Sequence, residues 1–398
     1  MQTNGCIEET DIMHVVTERL HPPKSGYLLF FKKAGWFVAE KLHIDLVLLG
    51  LLLVLIFTGL LILYSASEAN IAMVQRQGVH FVLGLVFMLC LAHIEVNYYR
   101  RIAFWLFMAG VVLLLLVLFS GIDAKGARRW LYIPGLLRFQ PSELMKLVVP
   151  ISVVCFITSR SAFPPDFVDT LKALAMIILP AGLIVVQPDL GTAILIASSG
   201  IMVLFLAGLS WKFMGSSLLL LLITAPLIWF FLLLDYHKKR ILILFDPLSD
   251  PLGAGWNINQ SIIAIGSGGL FGKGWLQGTQ SQLRFLPESH TDFIVSVLAE
   301  ERGLIGLIFI LCLYLLIVCR GMIIAISAYD SFSRLLAGSI TLIFFVYVFV
   351  NIGMVSGMLP VVGVPLPLVS FGGTSIITLM ASFGILMSIA THKKIVHK

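Results

Sequence analysis

The sequence predicts an all-α polytopic membrane protein of about ten transmembrane helices, with a large outer loop between the seventh and the eighth. Three observations predict it. Of the 398 residues, 59% are hydrophobic and only 12% charged, where a soluble domain carries roughly 25% charged residues. The apolar residues fall in runs of membrane-spanning length, about 20 residues each. The polar residues are gathered into a few intervals, the longest running from Asp235 to Arg302. The net charge of +6 suits lipid headgroups or a phosphorylated substrate rather than nucleic acid. Cys6, Cys90, Cys155, Cys312 and Cys319 have neither disulfide-framework nor zinc-site spacing.

Residues 1–44 read as a cytoplasmic tail and an interfacial helix, because Tyr27, Phe30, Phe31, Trp36 and Phe37 interleave with Lys32, Lys33 and Lys41. Residues 45–398 read as a single transmembrane domain. Its spans are expected at 45–66, 78–95, 102–121, 142–159, 170–187, 189–209, 213–235, 303–325, 334–356 and 366–390, with 236–301 as the large outer loop. An even number of spans puts both termini on one side. Every loop on that side carries Lys or Arg, as Arg100, Arg101, Arg160, Lys172, Lys212, Arg320 and Arg334 show, so both termini are expected in the cytoplasm. The outer side is nonetheless rich in cations. Lys125, Arg128, Arg129 and Arg138 fall in loop 122–141, and Lys238, Lys239, Arg240, Lys273 and Arg284 in loop 236–301. Cations kept outside against the insertion bias ask for a reason, and an anionic ligand is one.

The first of these loops, with Lys125, Arg128, Arg129 and Trp130, can be read as an interfacial anchor or as a phosphate site. Gln140 to Glu143 (QPSE) starts a helix, with an acid at its positive end and Lys146 three residues further on. Ionisable groups so near hydrocarbon are costly and usually functional, though a snorkelling ion pair accounts for them equally. The same two readings apply to Asp189 at the start of the sixth span, where capping alone would account for it. The stretch from Gly266 to Gly274 (GSGGLFGKG) is no P-loop, because a glycine follows Lys273 where a Ser or Thr belongs and there is no strand-to-helix unit. Its glycines let the backbone turn tightly beneath a ligand, with Lys273 available to an anion.

Pro287 to Val295 reads as a helix entering the membrane, which places Glu288 and Asp292 on one face at i,i+4. Two carboxylates that close raise one pKa toward a value useful in a base; the alternative is a solvated helix cap. Gly357 to Pro367, followed by Ser370 to Ser375, is apolar yet full of helix breakers. It reads as a re-entrant outer loop lining a cavity.

Together these motifs resemble the shape, elongation, division and sporulation (SEDS) family. The resemblance rests on RRW at 128–130, QPSE at 140–143, QPDLGT at 187–192, DPLGAG at 250–255 and AIGSGG at 264–269. It rests also on GKG at 272–274, GTQ at 278–280, HTDF at 290–293 and the run from Gly357 to Pro367. It covers nearly the whole chain after the first forty residues. It implies a peptidoglycan glycosyltransferase of the bacterial inner membrane that polymerises lipid II onto a growing glycan strand during rod-shaped elongation. It implies an inverting transfer that releases undecaprenyl pyrophosphate at the periplasmic face. The partners implied are a class B penicillin-binding transpeptidase (penicillin-binding protein 2) and the elongation machinery, with no nucleic acid. By the resemblance the catalytic residue is Asp292, and Arg129 and Trp130 bind substrate. Arg128, Lys125, Glu143, Lys146, Lys273, Glu288, Gln280 and Ser370 are further substrate-binding candidates. A divalent cation, magnesium or manganese, is compatible with the family, although the sequence displays no ligand cluster for it.

The chemistry asks for a base on the acceptor hydroxyl and for cations on the departing pyrophosphate, but for no general acid, unlike hydrolysis by paired carboxylates. The rival reading is a lipid II transporter without glycosyl transfer. Against it stand the lack of an inverted repeat and a polar investment on one side rather than at the midplane.

Overall fold

The computed structural model describes residues 43–391, apart from 125–126, 133–137, 161–163, 210, 233–234, 251–252 and 284. The tail and interfacial helix expected over 1–44 therefore lie almost wholly outside the described residues, as does Lys125. Each expected span has a helix over it. In chain order these are α1 (Leu46–Ala66), α2 (Ile71–Ala92), α3 (Val96–Ser120), α4 (Pro141–Thr158), α5 (Phe167–Val186), α6 (Leu190–Leu206) and α7 (Trp211–Leu227). After the large loop come α11 (Ile294–Ile326), α12 (Ser331–Val355) and α13 (Thr374–Thr391). Eight of them are long and apolar enough to cross a membrane; α6 is a shorter apolar helix, and a second short apolar stretch runs over Leu222–Phe231.

Side-chain caps set several helix starts. Asp45 accepts from the Leu48 amide at 2.8 Å, Asn70 from Met73, Asp189 from Thr192 and Asp330 from Ser333. Two helices form the middle of the bundle: two-thirds of α4 and of α12 is buried, against 22% of α2. Around them α2 packs on α13, α11 on α12, α3 on α4 and α5 on α6. The outer helices expose many large apolar side chains, among them Val, Leu, Ile and Phe, as suits a surface solvated by lipid.

The structure departs from the sequence reading in several places. Loop 122–141 holds an antiparallel ribbon, β1 (Ile122–Ala124), β2 (Ala127–Tyr132) and β3 (Arg138–Phe139), in which Trp130, Leu131 and Tyr132 supply the residue types that suit strands. The large loop is mostly helical, with α8 (Asp235–Phe245), α9 (Ala254–Gly268) and the short α10 (Thr279–Gln282). The last helix starts at Thr374 rather than 366, since the segment with Pro365 and Pro367 forms turns. Finally, α11 starts at Ile294, nine residues before the expected 303, and it is broken at Gly303 (φ +64°, ψ −159°).

That break explains the glycine-rich stretch. The loop after α9 threads through the gap in α11. Its Lys273 and Gly274 amides donate to the carbonyls of Glu300 and Glu301 at 2.9 and 3.0 Å, while the Leu304 and Ile305 amides donate to Gly269 and Leu270. The backbone groups freed by the break are thus paired, as a low-dielectric setting demands. Gly272 (φ +80°) has no room for a side chain, whose first carbon would lie 2.1 Å from the Glu301 carbonyl oxygen.

Candidate active site

The site is built on the loop between α12 and α13. Four consecutive residues of it are each met by a different element. The Arg240 guanidinium of α8 donates to the Val361 carbonyl at 2.8 Å. Gly191, in the first turn of α6, lies so close that a Cβ there would sit 2.4 Å from the Val362 carbonyl oxygen. Gly363 (φ +73°) faces Asp292, whose Oδ2 is 3.6 Å from where a Cβ would be. Val364 accepts a 2.7 Å bond from the Asn351 side chain of α12, and the same nitrogen donates to the Asp292 carbonyl at 2.9 Å.

Asp292 lies in a turn, not in the helix expected there. Its neighbours' carbonyls bond the α12–α13 loop instead of amides four residues on. The Phe371 amide donates to His290 at 2.9 Å, and the buried Ser370 hydroxyl donates to the Thr291 carbonyl. Ser370 also accepts from the Leu366 amide at 2.9 Å. Glu288 therefore shares a turn with Asp292 rather than a helix face, and its Oε2 accepts from the Thr291 hydroxyl at 2.8 Å. Gln77 of α2 closes the cradle, donating to the Ser370 carbonyl at 2.9 Å and accepting from the Gly372 amide.

Arg129 reaches the same loop system from the ribbon. It donates to the Pro188 carbonyl and lies 3.8 Å from the Asp189 carboxylate. Its Nε is buried with no hydrogen-bond partner among the described residues. Trp130 follows on β2, partly buried, and Arg128 pairs with Asp123 in the ribbon backbone. Glu143 and Lys146 form a 2.6 Å ion pair inside the bundle, with the ammonium 4.9 Å from the centre of the Tyr347 ring. Tyr347 packs with Val364, which joins this pair to the loop above it.

Two candidates lie elsewhere. Lys273 does not face open space; its ammonium is 2.8 Å from the fully buried Glu300 carboxylate, which also accepts from the Thr279 hydroxyl and the Gln280 amide, both at 3.0 Å. Gln280 enters through its backbone. This cluster fastens α10 and the threaded loop to the upper half of α11. Sequence reading missed Glu300 and Asn351. An Asn within the last two turns of an apolar span was the available signal for the latter. Among the described residues no three His, Cys, Asp or Glu side chains converge as metal ligands.

A polytopic α-helical membrane protein, with a carboxylate and two guanidinium groups disposed around a glycine-bearing loop and its neighbouring turn, is the class these features define. The FtsW/RodA/SpoVE cell cycle protein model matches residues 41–395, and the chain belongs to that family. It is 52% identical over 367 residues to the peptidoglycan glycosyltransferase MrdB of Escherichia coli, covering 92% of this chain and 98% of that one. It is 37% identical over 363 residues to the probable peptidoglycan glycosyltransferase FtsW of Geobacter metallireducens, covering 88% and 95%. Among solved structures it resembles a chain described under structural coordination of polymerization and crosslinking by a peptidoglycan synthase complex. That match has a TM-score of 0.76 and 30% identity, over 87% of this chain and 97% of that one. It also resembles the Thermus thermophilus rod shape determining protein RodA, with a TM-score of 0.65 and 28% identity, over 87% and 96%. The resemblance drawn from the motifs is thus shown, and the chain is a multi-span protein of the bacterial inner membrane.

Proposed function

We infer that this chain is a peptidoglycan glycosyltransferase that joins lipid II units into glycan strands during cell elongation. The observation that carries the reading is the placement of Asp292 and Arg129 on the two flanks of one loop, at Gly363 and, through Pro188 to Gly191, at Val362. Asp292 takes the proton of the acceptor sugar hydroxyl, a role typically contributing about 10²–10⁴-fold. The hydroxyl oxygen forms the new glycosidic bond with inversion. The bond from the donor sugar to pyrophosphate breaks, and its electron pair leaves on undecaprenyl pyrophosphate.

The developing charge is met by Arg129, whose fork of donors suits phosphate oxygens, with Arg128 and Lys125 as further cations of the same loop. Trp130 offers a face to a sugar. Glu288 and Ser370 hold the Asp292 turn. Glu143 and Lys146 brace the floor beneath Val364, while Lys273 and Gln280 serve the helix break through Glu300. A divalent cation, magnesium or manganese, would enter on the pyrophosphate, since magnesium typically takes one or two carboxylates plus substrate phosphates. The termini lie in the cytoplasm and the site on the periplasmic face, as the helix number and the loop cations support. A class B transpeptidase, penicillin-binding protein 2 of the elongation machinery, acts beside it on the polymer.

The test is polymerisation of labelled lipid II by the purified protein and its Asp292→Asn variant, alone and with the transpeptidase. Loss of polymer in the variant, with folding intact, is expected. Wild-type rates from the variant would remove Asp292 from the mechanism, and lipid II translocation without polymer would favour a transporter.

A further inference from the structure

A groove of about 530 Å³ opens between α1 and the broken α11, away from the loop that carries Asp292. Its volume lies within the range of about 300–1,000 Å³ typical of ligand sites. The walls are apolar, with Leu61 and Ile62 of α1 facing Ile305, Phe309 and Ile310 of α11. Leu61, Ile305 and Phe309 are 43–54% exposed within segments that span the membrane, so the open side of the groove faces acyl chains, not water. The end nearest the large loop is different in kind. There the groove is bounded by Trp275, Glu301 and Arg302.

These polar groups are sorted by the break at Gly303. Glu301 turns inward, is 3% exposed, and accepts from the Ser65 hydroxyl at the end of α1. Arg302 is exposed. At Gly306 a Cβ would lie 2.4 Å from the Arg302 Cβ, so the missing side chain leaves the arginine stem free to lie along α11. The groove thus has a hydrocarbon-lined length and one cationic mouth, which is the pattern of a single hydrocarbon chain ending in a phosphate. Its mouth is tied by hydrogen bonds to the segment that precedes Asp292. Ser65 holds Glu301, and the carbonyls of Ser65 and Ala66 accept from Gln282 and Ser289, on the segment that leads to Asp292.

We propose that this groove seats the prenyl chain of a prenyl diphosphate, with Arg302 on the diphosphate, and so serves as a docking site for the lipid carrier beside the site of transfer. The proposal rests on the glycosyltransferase reading for its choice of lipid. A bilayer phospholipid shares the chemistry of a chain with a phosphate, but the mouth of this groove is hydrogen-bonded through Ser65 and Ala66 to the segment that leads to the proposed base.

The experiment uses the full chain in nanodiscs and a C20 prenyl diphosphate carrying a diazirine at its far end, so that labelling needs no turnover. Label is expected on the peptides around Leu61 and Phe309. Arg302→Gln should lower labelling by about tenfold to a hundredfold, the range of a charge-assisted bond, and Thr58→Trp, at a residue of α1 that lines the groove, should block it by filling the space. Arg302→Lys, which keeps the charge, should retain most of it and guards against a folding artefact. Label spread over the whole lipid-facing surface, or equal competition by phosphatidylglycerol, would overturn the proposal. Labelling of Asp292→Asn separates the two readings. Normal groove labelling with unimpaired polymerisation sinks the catalytic reading alone, and absent groove labelling with lost polymerisation sinks the groove alone.

Discussion

One nitrogen of Asn351 donates to both the Asp292 carbonyl, at 2.9 Å, and the Val364 carbonyl, at 2.7 Å. A buried side chain in the middle of the bundle therefore ties the turn that carries the proposed base to the loop it faces. Asn351 touches no reacting atom on this reading, so it is a positioning residue. Asn351→Leu is expected to lower kcat by about 10²-fold while KM for lipid II moves little, since a shift of about 1 Å in a catalytic group costs that much. A merely structural role would lower the amount of folded protein and leave kcat per folded molecule unchanged. The measurement is single-turnover polymerisation normalised to folded protein.

Glu288 and Asp292 are four residues apart, and sequence alone cannot say which carboxylate is the base. The turn separates their tasks, because Glu288 is engaged by Thr291 at 2.8 Å. Glu288→Gln keeps an acceptor for that hydroxyl, so its rate should fall less than about tenfold, whereas Asp292→Asn should lose about 10²–10⁴-fold. A larger loss at Glu288 than at Asp292 would exchange their roles.

Lys273 and Glu300 make a different prediction. Removing one partner of a buried pair leaves an uncompensated charge, at a cost of about 3–5 kcal/mol. With Lys273 itself 29% exposed, the lower end of that range is expected. Lys273→Met should therefore lower the melting temperature without selectively raising KM, and adding Glu300→Gln should recover part of the loss. If Lys273→Met instead raised KM at unchanged stability, the lysine would be a substrate ligand after all.

The spans were legible because solvation by lipid is a property of composition, and runs such as 46–66 admit no other reading. The motifs led to Asp292 and Arg129 through resemblance; the structure sets Asp292 against the α12–α13 loop at Gly363 and Arg129 on the turn before α6, whose Gly191 abuts the same loop. What sequence could not give is pairing at a distance. The apolar run from Leu304 onward hides the fact that α11 begins ten residues earlier and breaks at Gly303. The glycines of 266–274 were read as room for a ligand, yet at Gly268 and Gly272 they make room for the carbonyls of Ala299 and Glu301. Lys273 announced a charge but not its partner, which lies 27 residues away.

Gly272 provides a direct test of that threading. Its φ of +80° is a conformation that side chains rarely adopt, and a Cβ would collide with the Glu301 carbonyl at 2.1 Å. Gly272→Ala should destabilise by about 1–3 kcal/mol from strain and overpacking. Gly266→Ala, where nothing lies within 4 Å and α9 is regular helix, should be neutral or slightly stabilising. Thermal unfolding in detergent compares the two, and equal effects would count against a threaded loop.

Arg129 holds the Pro188 carbonyl and approaches Asp189 while its Nε stays buried and unpartnered among the described residues. A guanidinium anchored on one edge keeps its remaining donors aimed in a fixed direction, which is what a pyrophosphate leaving group needs as its charge develops. Arg129→Lys keeps the charge and loses the fork. On that reasoning kcat/KM should fall by about 10–100-fold, as for loss of a charge-assisted bond, with most of the fall in kcat because the charge grows in the transition state. Arg129→Gln should fall further. A Lys variant with wild-type kcat and raised KM would mean that Arg129 grips the ground-state lipid and does not assist bond cleavage.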